Sequence, residues 1–401
     1  MDAEKYTVAM IAPTPFFTEG GASSRILGEV RGLRALGARV RMLTYPSGRE
    51  WPGIETVRPR RSSRQMGIGF HPIRPLYDLE MLRSLLGWDP VPGERWHAFL
   101  HEGAVLGMLQ ERLRGKRFVL DLQGSLAEEL GRTFRFAARG VGGGLTRGFE
   151  RWLERSAPQV IVSSPGLLAL LQSRGHLPKD RVHLIADGVA WEDFSPRSEE
   201  ESPEVRAWRT RRGLAEEDIV AIYVGGLSPE QGIDDVITEM PRMLKEEPRL
   251  RVVLFGRPTQ LNRNERYVER IRSLGLEGKV LLLGPLKYED LPAALRASDI
   301  GLTWKRAPPE EANGKIPVYM AAGLPTVALR LPASEYYLGP SGEFGGILAQ
   351  SPKTAAEAVL RLAREPALRQ RLGQEGRRMA EKRFSHRAVA QQILQVYDKL
   401  G

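Results

Sequence analysis

The 401-residue sequence contains no cysteine. That absence excludes disulfides, thiolate-ligated zinc and thiol nucleophiles together, and it fits a reducing compartment. Long hydrophobic runs are missing too: no apolar stretch approaches the about 18 residues that would cross a bilayer. The opening Met1-Asp-Ala-Glu-Lys5 lacks the apolar core of a signal peptide, so the expected location is the cytoplasm. No Cys/His finger spacing or RNA-binding aromatic signature appears, and nucleic acid is not an expected partner. A Gly-x-Ser-x-Gly hydrolase element and an Asp-x-Asp metal signature are also absent. No cluster in the sequence reads as a metal site, and no cofactor is expected.

What is present describes an ordinary globular protein. The length exceeds one core of usual size and suggests two domains. Apolar, strand-like runs alternate with helical patterns throughout, the mark of parallel α/β layers. A proline-punctuated acidic stretch, Ser195 to Pro203, reads as the boundary between the two. The last helix, about Ser385 to Leu400, has Val389, Ile393, Leu394, Val396 and Tyr397 at near-helical spacing. A formal charge of +10 attracts acidic partners, and an anionic membrane surface or anionic acceptor is the expectation. Two basic stretches lie in the first half. Arg58 to Arg64, extending to Arg74, reads as a loop; Arg132 to Arg139 precedes a helix around Phe149 and Trp152. The second stretch has two readings, a membrane-surface patch or a solvated helix face whose aromatics serve the core. The core reading is preferred, because lying on a bilayer requires apolar anchoring as well as charge.

The most informative run is Glu310-Glu-Ala-Asn-Gly-Lys-Ile-Pro-Val-Tyr-Met-Ala-Ala-Gly-Leu-Pro-Thr326. A carboxylate and a polar turn lead into a short apolar helix, Ile316 to Ala322. Gly323 then stands where a helix end tolerates positive φ, Pro325 blocks continuation, and Thr326 to Leu329 reads as a buried strand. A turn that opens a helix presents unpaired N–H groups, which suits a phosphate or sugar phosphate.

This run resembles the donor-binding signature of family 4 retaining glycosyltransferases of the GT-B fold. The resemblance extends over nearly the whole chain. Val8 to Ala12 with Gly20-Gly21 is similar to the family's first strand and acceptor-side glycine loop. Leu33 to Leu43, Val160 to Pro165 and Ile185 to Val189 follow in family order, as do Tyr223 to Gly232, Val252 to Gly256, Val280 to Gly284 and Ala297 to Ile300.

The resemblance implies two Rossmann-like parallel-sheet domains facing a cleft, with the C-terminal helix returning to the first. The acceptor domain would be residues 1–190 plus the return helix at about 380–401, and the donor domain residues 191–379. The implied activity is transfer of a hexose-like sugar from a nucleoside diphosphate sugar, as co-substrate, to a glycan or lipid-linked acceptor with retention and without a metal. Peripheral contact with the inner face of the plasma membrane goes with a lipid-linked acceptor.

By the same resemblance Glu310 meets the transferring sugar, and Gly225, Gly226, Gln231, Leu286, Glu311, Asn313, Gly314, Lys315 and Arg306 surround the donor. Gly20, Gly21 and Asp121 lie on the acceptor side, with His101 as a second catalytic candidate. Asp121 reads equally as a ligand of acceptor hydroxyls or as a helix cap.

Three positions depart from the family pattern. Val318 stands where a second Glu is expected, and Gly226 and Gln231 where an Arg and a Lys usually contact the diphosphate. Two expectations follow. Either Lys315, Lys305 and Arg306 replace the missing charge, or the chain is a catalytically inactive GT-B homologue serving as a subunit, scaffold or glycan-binding partner.

Overall fold

A computed structural model describes residues 6–18, 20–59, 73–133, 140–196, 202–256, 264–306 and 310–400. The chain divides into two compact units. The first comprises Met1–Gly188, Glu310–Ala312 and His386–Gly401; the second comprises Val189–Pro309 and Asn313–Ser385.

The first unit is built on a seven-stranded, all-parallel sheet in the order β3-β2-β1-β4-β5-β6-β7. Its strands are β1 (Thr7–Ala12), β2 (Arg39–Thr44), β3 (Glu55–Val57), β4 (Arg95–Phe99), β5 (Phe118–Leu122), β6 (Gln159–Val162) and β7 (Val182–Leu184). Strands β5 and β6 are buried at every position, as expected of a parallel sheet covered on both faces. The order reverses between β1 and β4, so the loops beyond their carboxyl ends form the usual ligand crevice of an open α/β sheet.

The terminal helix, His386–Asp398, belongs to this unit, with Val389, Ile393, Leu394, Val396 and Tyr397 all buried. It lies against the helix Gly21–Ala35, where the glycines permit close approach. A Cβ on Gly32 would come 2.1 Å from the His386 carbonyl oxygen.

The second unit carries a six-stranded parallel sheet in the order β10-β9-β8-β11-β12-β13. These strands are β8 (Ile219–Val224), β9 (Leu250–Phe255), β10 (Val280–Leu282), β11 (Ile300–Thr303), β12 (Thr326–Leu329) and β13 (Gly346–Ala349). Its core joins Tyr223, Ile237, Leu254, Leu302 and Val327 to Val359 and Leu362 of the helix Pro352–Arg364. Here the order reverses between β8 and β11. The short helix expected after the polar turn runs from Lys315 to Ala321, and Gly323 ends it at φ +70° with its N–H on the Met320 carbonyl, 3.0 Å.

Of the two basic stretches, residues 60–72 and 134–139 lie outside the described residues. The ends of the first are tied down. Arg58 donates to the Ser47 carbonyl at 2.7 Å and pairs with Glu50 at 2.8 Å, and Arg74 pairs with Glu102 at 3.2 Å.

The helix Gly140–Ser156 corrects the expectation that its aromatics serve the core. Phe149 is 47% exposed, Trp152 50% and Leu145 71%, and the two rings stack with centroids 5.7 Å apart. The reason is helical phase. Leu145, Phe149 and Trp152 share the outward face, while Glu150, Leu153 and Glu154 turn inward and are buried.

Candidate functional site

Backbone proximity at the reversal point of the second sheet assembles the donor-side residues. Gly225, just past β8, has φ +156° and donates to the Phe255 carbonyl at 3.0 Å. A Cβ on Gly256 would come 2.3 Å from the Gly225 carbonyl oxygen, and one on Gly232 (φ +75°) 2.2 Å from that of Trp304. Only glycine lets these strand-end loops meet.

Two buried tyrosines then fix the turn. Tyr223 donates from its hydroxyl to the Gly226 carbonyl at 2.6 Å. The Tyr319 hydroxyl accepts the Val224 N–H at 3.0 Å and donates to the Leu302 carbonyl at 3.3 Å, stitching the end of β8 to β11. Burial pushes the Tyr223 phenol well above its usual range, so it stays a donor.

Lys315 enters this turn from the first residue of its helix. Its ammonium donates to Gln231 Oε1 at 3.0 Å and sits 5.4 Å from the centre of the Tyr223 ring. Its Cε would lie 2.8 Å from a Cβ on Gly225. A lysine charge is therefore delivered beside one position where the family's lysine is missing. Gly226 is exposed, and nothing lies within 4 Å of a Cβ built on it.

Arg306 goes elsewhere. Its guanidinium pairs with Asp235 in the first turn of the helix Ile233–Glu246, and its N–H donates to the Glu230 carbonyl at 2.9 Å. That pairing engages the charge meant for the donor. Lys305 is buried, with 3% exposure.

Asn313 also differs from expectation, because it is buried and directs its amide to Thr303. Nδ2 donates at 2.8 Å, and Oδ1 accepts from the hydroxyl at 3.1 Å. It anchors the loop rather than facing a ligand. Gly314 caps the helix in a right-handed conformation, Leu286 is half-buried beyond Gly284, and Val318 is half-buried with no polar atom to offer. Glu310 and Glu311 are half-buried; the Glu310 carbonyl accepts from the Ser164 hydroxyl, and Glu310–Ala312 count with the first unit.

In the first unit, Gly20 and Gly21 open the helix Gly21–Ala35, with open space where a Cβ on Gly21 would project. Asp121, a candidate acceptor ligand, is fully buried at the end of β5. Arg25 of that helix forks onto it, with Nε to Oδ1 at 2.9 Å and Nη2 to Oδ2 at 2.6 Å, and also reaches Asp187 at 3.0 Å and Glu29 at 3.1 Å. Asp121 thus holds an arginine rather than a sugar, and it does not cap a helix.

His97 on β4 completes the group, Nδ1 bonding the Tyr397 hydroxyl at 2.8 Å while Nε2 stands 3.7 Å from Glu29. Burial, reinforced by Arg25, lowers the His97 pKa to about 3, so the ring is neutral. Burial and the Asp121 charge push the Glu29 carboxyl well above its usual range.

His101 lies just beyond a strand end. Strand β4 stops at Phe99 and a helix starts at Leu100, which turns the imidazole inward to 3.7 Å from Glu150 of the helix Gly140–Ser156. A ring buried between helices does not reach an acceptor. Burial also holds its pKa below the ordinary histidine value.

A model of the group 1 glycosyl transferases matches residues 204–379, and one of the glycosyl transferase 4-like domain matches residues 20–188. The chain belongs to the group 1 glycosyltransferases of family 4. Its fold is GT-B. This family member is 27% identical to spore coat protein SA of Bacillus subtilis over 61% of the chain and 66% of the relative. It is 26% identical to MMP alpha-(1->4)-mannosyltransferase of Mycolicibacterium hassiacum over 62% of the chain and 56% of the relative. With mannosylfructose-phosphate synthase of Agrobacterium fabrum it shares 30% identity over 44% of the chain and 39% of the relative. The chain thus spans less than two thirds of the length of these curated relatives.

Among solved structures, sucrose-phosphate synthase from Thermosynechococcus elongatus superposes with a TM-score of 0.76 over 98% of both chains at 19% identity. Anabaena HepE in complex with UDP-glucose gives 0.74 over 98% of this chain and 99% of that one at 17% identity.

The Arg25 group yields a pH prediction. His97 stays neutral in the fold, whereas an unfolded histidine takes a proton below about pH 6.5. Stability from this residue is therefore complete above pH 6.5 and lost as pH falls. His97→Asn, which keeps a partner for Tyr397, should make the acid limb of stability shallower between roughly pH 6 and 4. The change should approach about 1.4 kcal/mol per pH unit, read by urea unfolding. Equal slopes in the two proteins would show that His97 titrates alike folded and unfolded.

Proposed function

We propose that this glycosyltransferase moves a hexose unit from a nucleoside diphosphate sugar to a glycan or lipid-linked acceptor, with retention. The placement of Lys315 carries this reading. At the reversal point of a parallel sheet, where such folds hold nucleotides, the ammonium lies beside a permissive Gly225-Gly226 turn. The backbone of that turn and Lys315 would hold the diphosphate, and Glu310, by resemblance, would meet the transferring sugar. Holding the leaving diphosphate by pre-placed charge and orienting the acceptor supplies the rate. Anabaena HepE, similar in fold, was captured with UDP-glucose, and two of the relatives are named as a mannosyltransferase and a mannosylfructose-phosphate synthase; both facts favour a nucleotide-sugar donor. Arg306, Asn313, Asp121 and His101 have structural partners and are left out of the binding set.

The acceptor side is assigned to an anionic membrane surface. Leu145, Phe149 and Trp152 form an exposed apolar strip, bordered on the same helix by exposed Arg151 and Arg155. Aromatics at headgroup level with arginines beside them meet the requirement that charge alone does not. No helix among the described residues is long and apolar enough to cross a membrane, so the contact would be peripheral.

Two outcomes are expected. In calorimetric titration, one of UDP-, GDP- or ADP-sugars should bind, and Lys315→Ala should weaken it about tenfold to a hundredfold, the worth of one charge-assisted contact. Arg306→Ala should leave the affinity within about twofold, because its charge is already engaged by Asp235. Failure of every donor to bind the folded protein would favour the inactive homologue, and an unaffected Lys315→Ala would remove the lysine from the site. In co-sedimentation, the wild type should bind vesicles rich in phosphatidylglycerol, and Phe149→Ser with Trp152→Ser should abolish most of it. Equal binding by the double variant would refute the membrane assignment.

A further inference from the structure

The inward face of the helix Gly140–Ser156 carries Glu150 and Glu154, one turn apart and buried to 0% and 1% exposure. Arg174, the last residue of the helix Pro165–Arg174, spans both: Nη2 lies 2.9 Å from Glu150 Oε2 and Nη1 2.9 Å from Glu154 Oε1. Each carboxylate is left with one inward oxygen, and each such oxygen faces an imidazole. Glu150 Oε1 stands 3.7 Å from His101 Nε2, and Glu154 Oε2 lies against His176 Nε2.

These four atoms share two properties. All are buried, and none makes a hydrogen bond of acceptable geometry. The His176–Glu154 pair is close enough for one but misdirected. Donor atoms of His101, Glu150 and Glu154 lie within 4.8 Å of one another.

We propose that His101, Glu150 and Glu154 bind one divalent first-row metal ion, with Zn²⁺ preferred. One imidazole nitrogen and two carboxylate oxygens are a donor set that zinc accepts, with a water completing the tetrahedron. The ion is structural. It joins the first turn of the helix starting at Leu100 to the helix Gly140–Ser156, while Arg174 orients both carboxylates from their outer oxygens and His176 lies against Glu154 outside the ligand set. Cysteine plays no part because the chain has none. This site is separate from the donor residues and does not depend on the proposed transfer reaction.

The test uses the full chain without a histidine tag, stripped with chelator and titrated with Zn²⁺ in a calorimeter. One ion per chain should bind, with a rise in Tm, and Co²⁺ in its place should give the intense visible bands of a tetrahedral centre. His101→Gln should weaken Zn²⁺ binding at least about tenfold. His183→Gln, whose imidazole bonds Gln159 at 2.7 Å outside this cluster, should bind as the wild type does. Circular dichroism confirms that each variant is folded; if His101→Gln is not, Glu150→Gln is read instead. Absence of Zn²⁺ uptake by the folded wild type overturns the proposal, as does undiminished uptake by the folded His101→Gln or Glu150→Gln variant.

Discussion

The close backbone approach at the carboxyl ends of β8, β9 and β11 is the constraint on which the donor side depends. Gly225, Gly232 and Gly256 each stand where a Cβ would collide with a carbonyl, a tyrosine or a lysine side chain. Because those Cβ atoms are missing, Tyr223 can reach the Gly226 carbonyl, and Tyr319 can bridge β8 and β11. Lys315 can then lie across the turn to Gln231. Remove the approach and the lysine loses both its seat and its partner. The family's usual cations are gone from 226 and 231, yet the turn still has a charge beside it.

The first unit is organised by buried arginines instead. Arg25 gathers Asp121, Asp187 and Glu29, and Arg174 gathers Glu150 and Glu154. Buried ion pairs seldom add much net stability, since desolvation offsets the attraction, but breaking one leaves a costly lone charge. Their effect is to fix geometry. Arg25 ties the helix Gly21–Ala35 to β5, and through Glu29, His97 and Tyr397 the group extends to the terminal helix. Arg174 sets the phase of the helix Gly140–Ser156, which places Phe149 and Trp152 outward.

Local patterns carried most of what was legible beforehand. The alternating apolar runs, the strand Thr326–Leu329, the Gly323 stop and the buried positions of the terminal helix follow from periodicity and turn chemistry within a few residues. Pairings across the chain were not legible. Arg25 meets Asp121 across 96 positions and Lys315 meets Gln231 across 84, and no local pattern says which of many arginines and lysines finds which partner. His101 does lie two residues past the end of β4, but a helix starts at Leu100 and turns the ring inward, which the local run Ala-Phe-Leu does not show. The outward strip of Leu145, Phe149 and Trp152 has helical spacing in the sequence. Its exposure was hidden because the inward face carries glutamates, whose partners lie on other elements.

The most direct measurement of the central claim is a crystal structure of the protein soaked with a nucleoside diphosphate. The account predicts a phosphate oxygen within about 3 Å of the Lys315 ammonium, with the Gly225-Gly226 backbone against the same group. A diphosphate seated away from Lys315, with the Lys315–Gln231 bond unchanged, would contradict it.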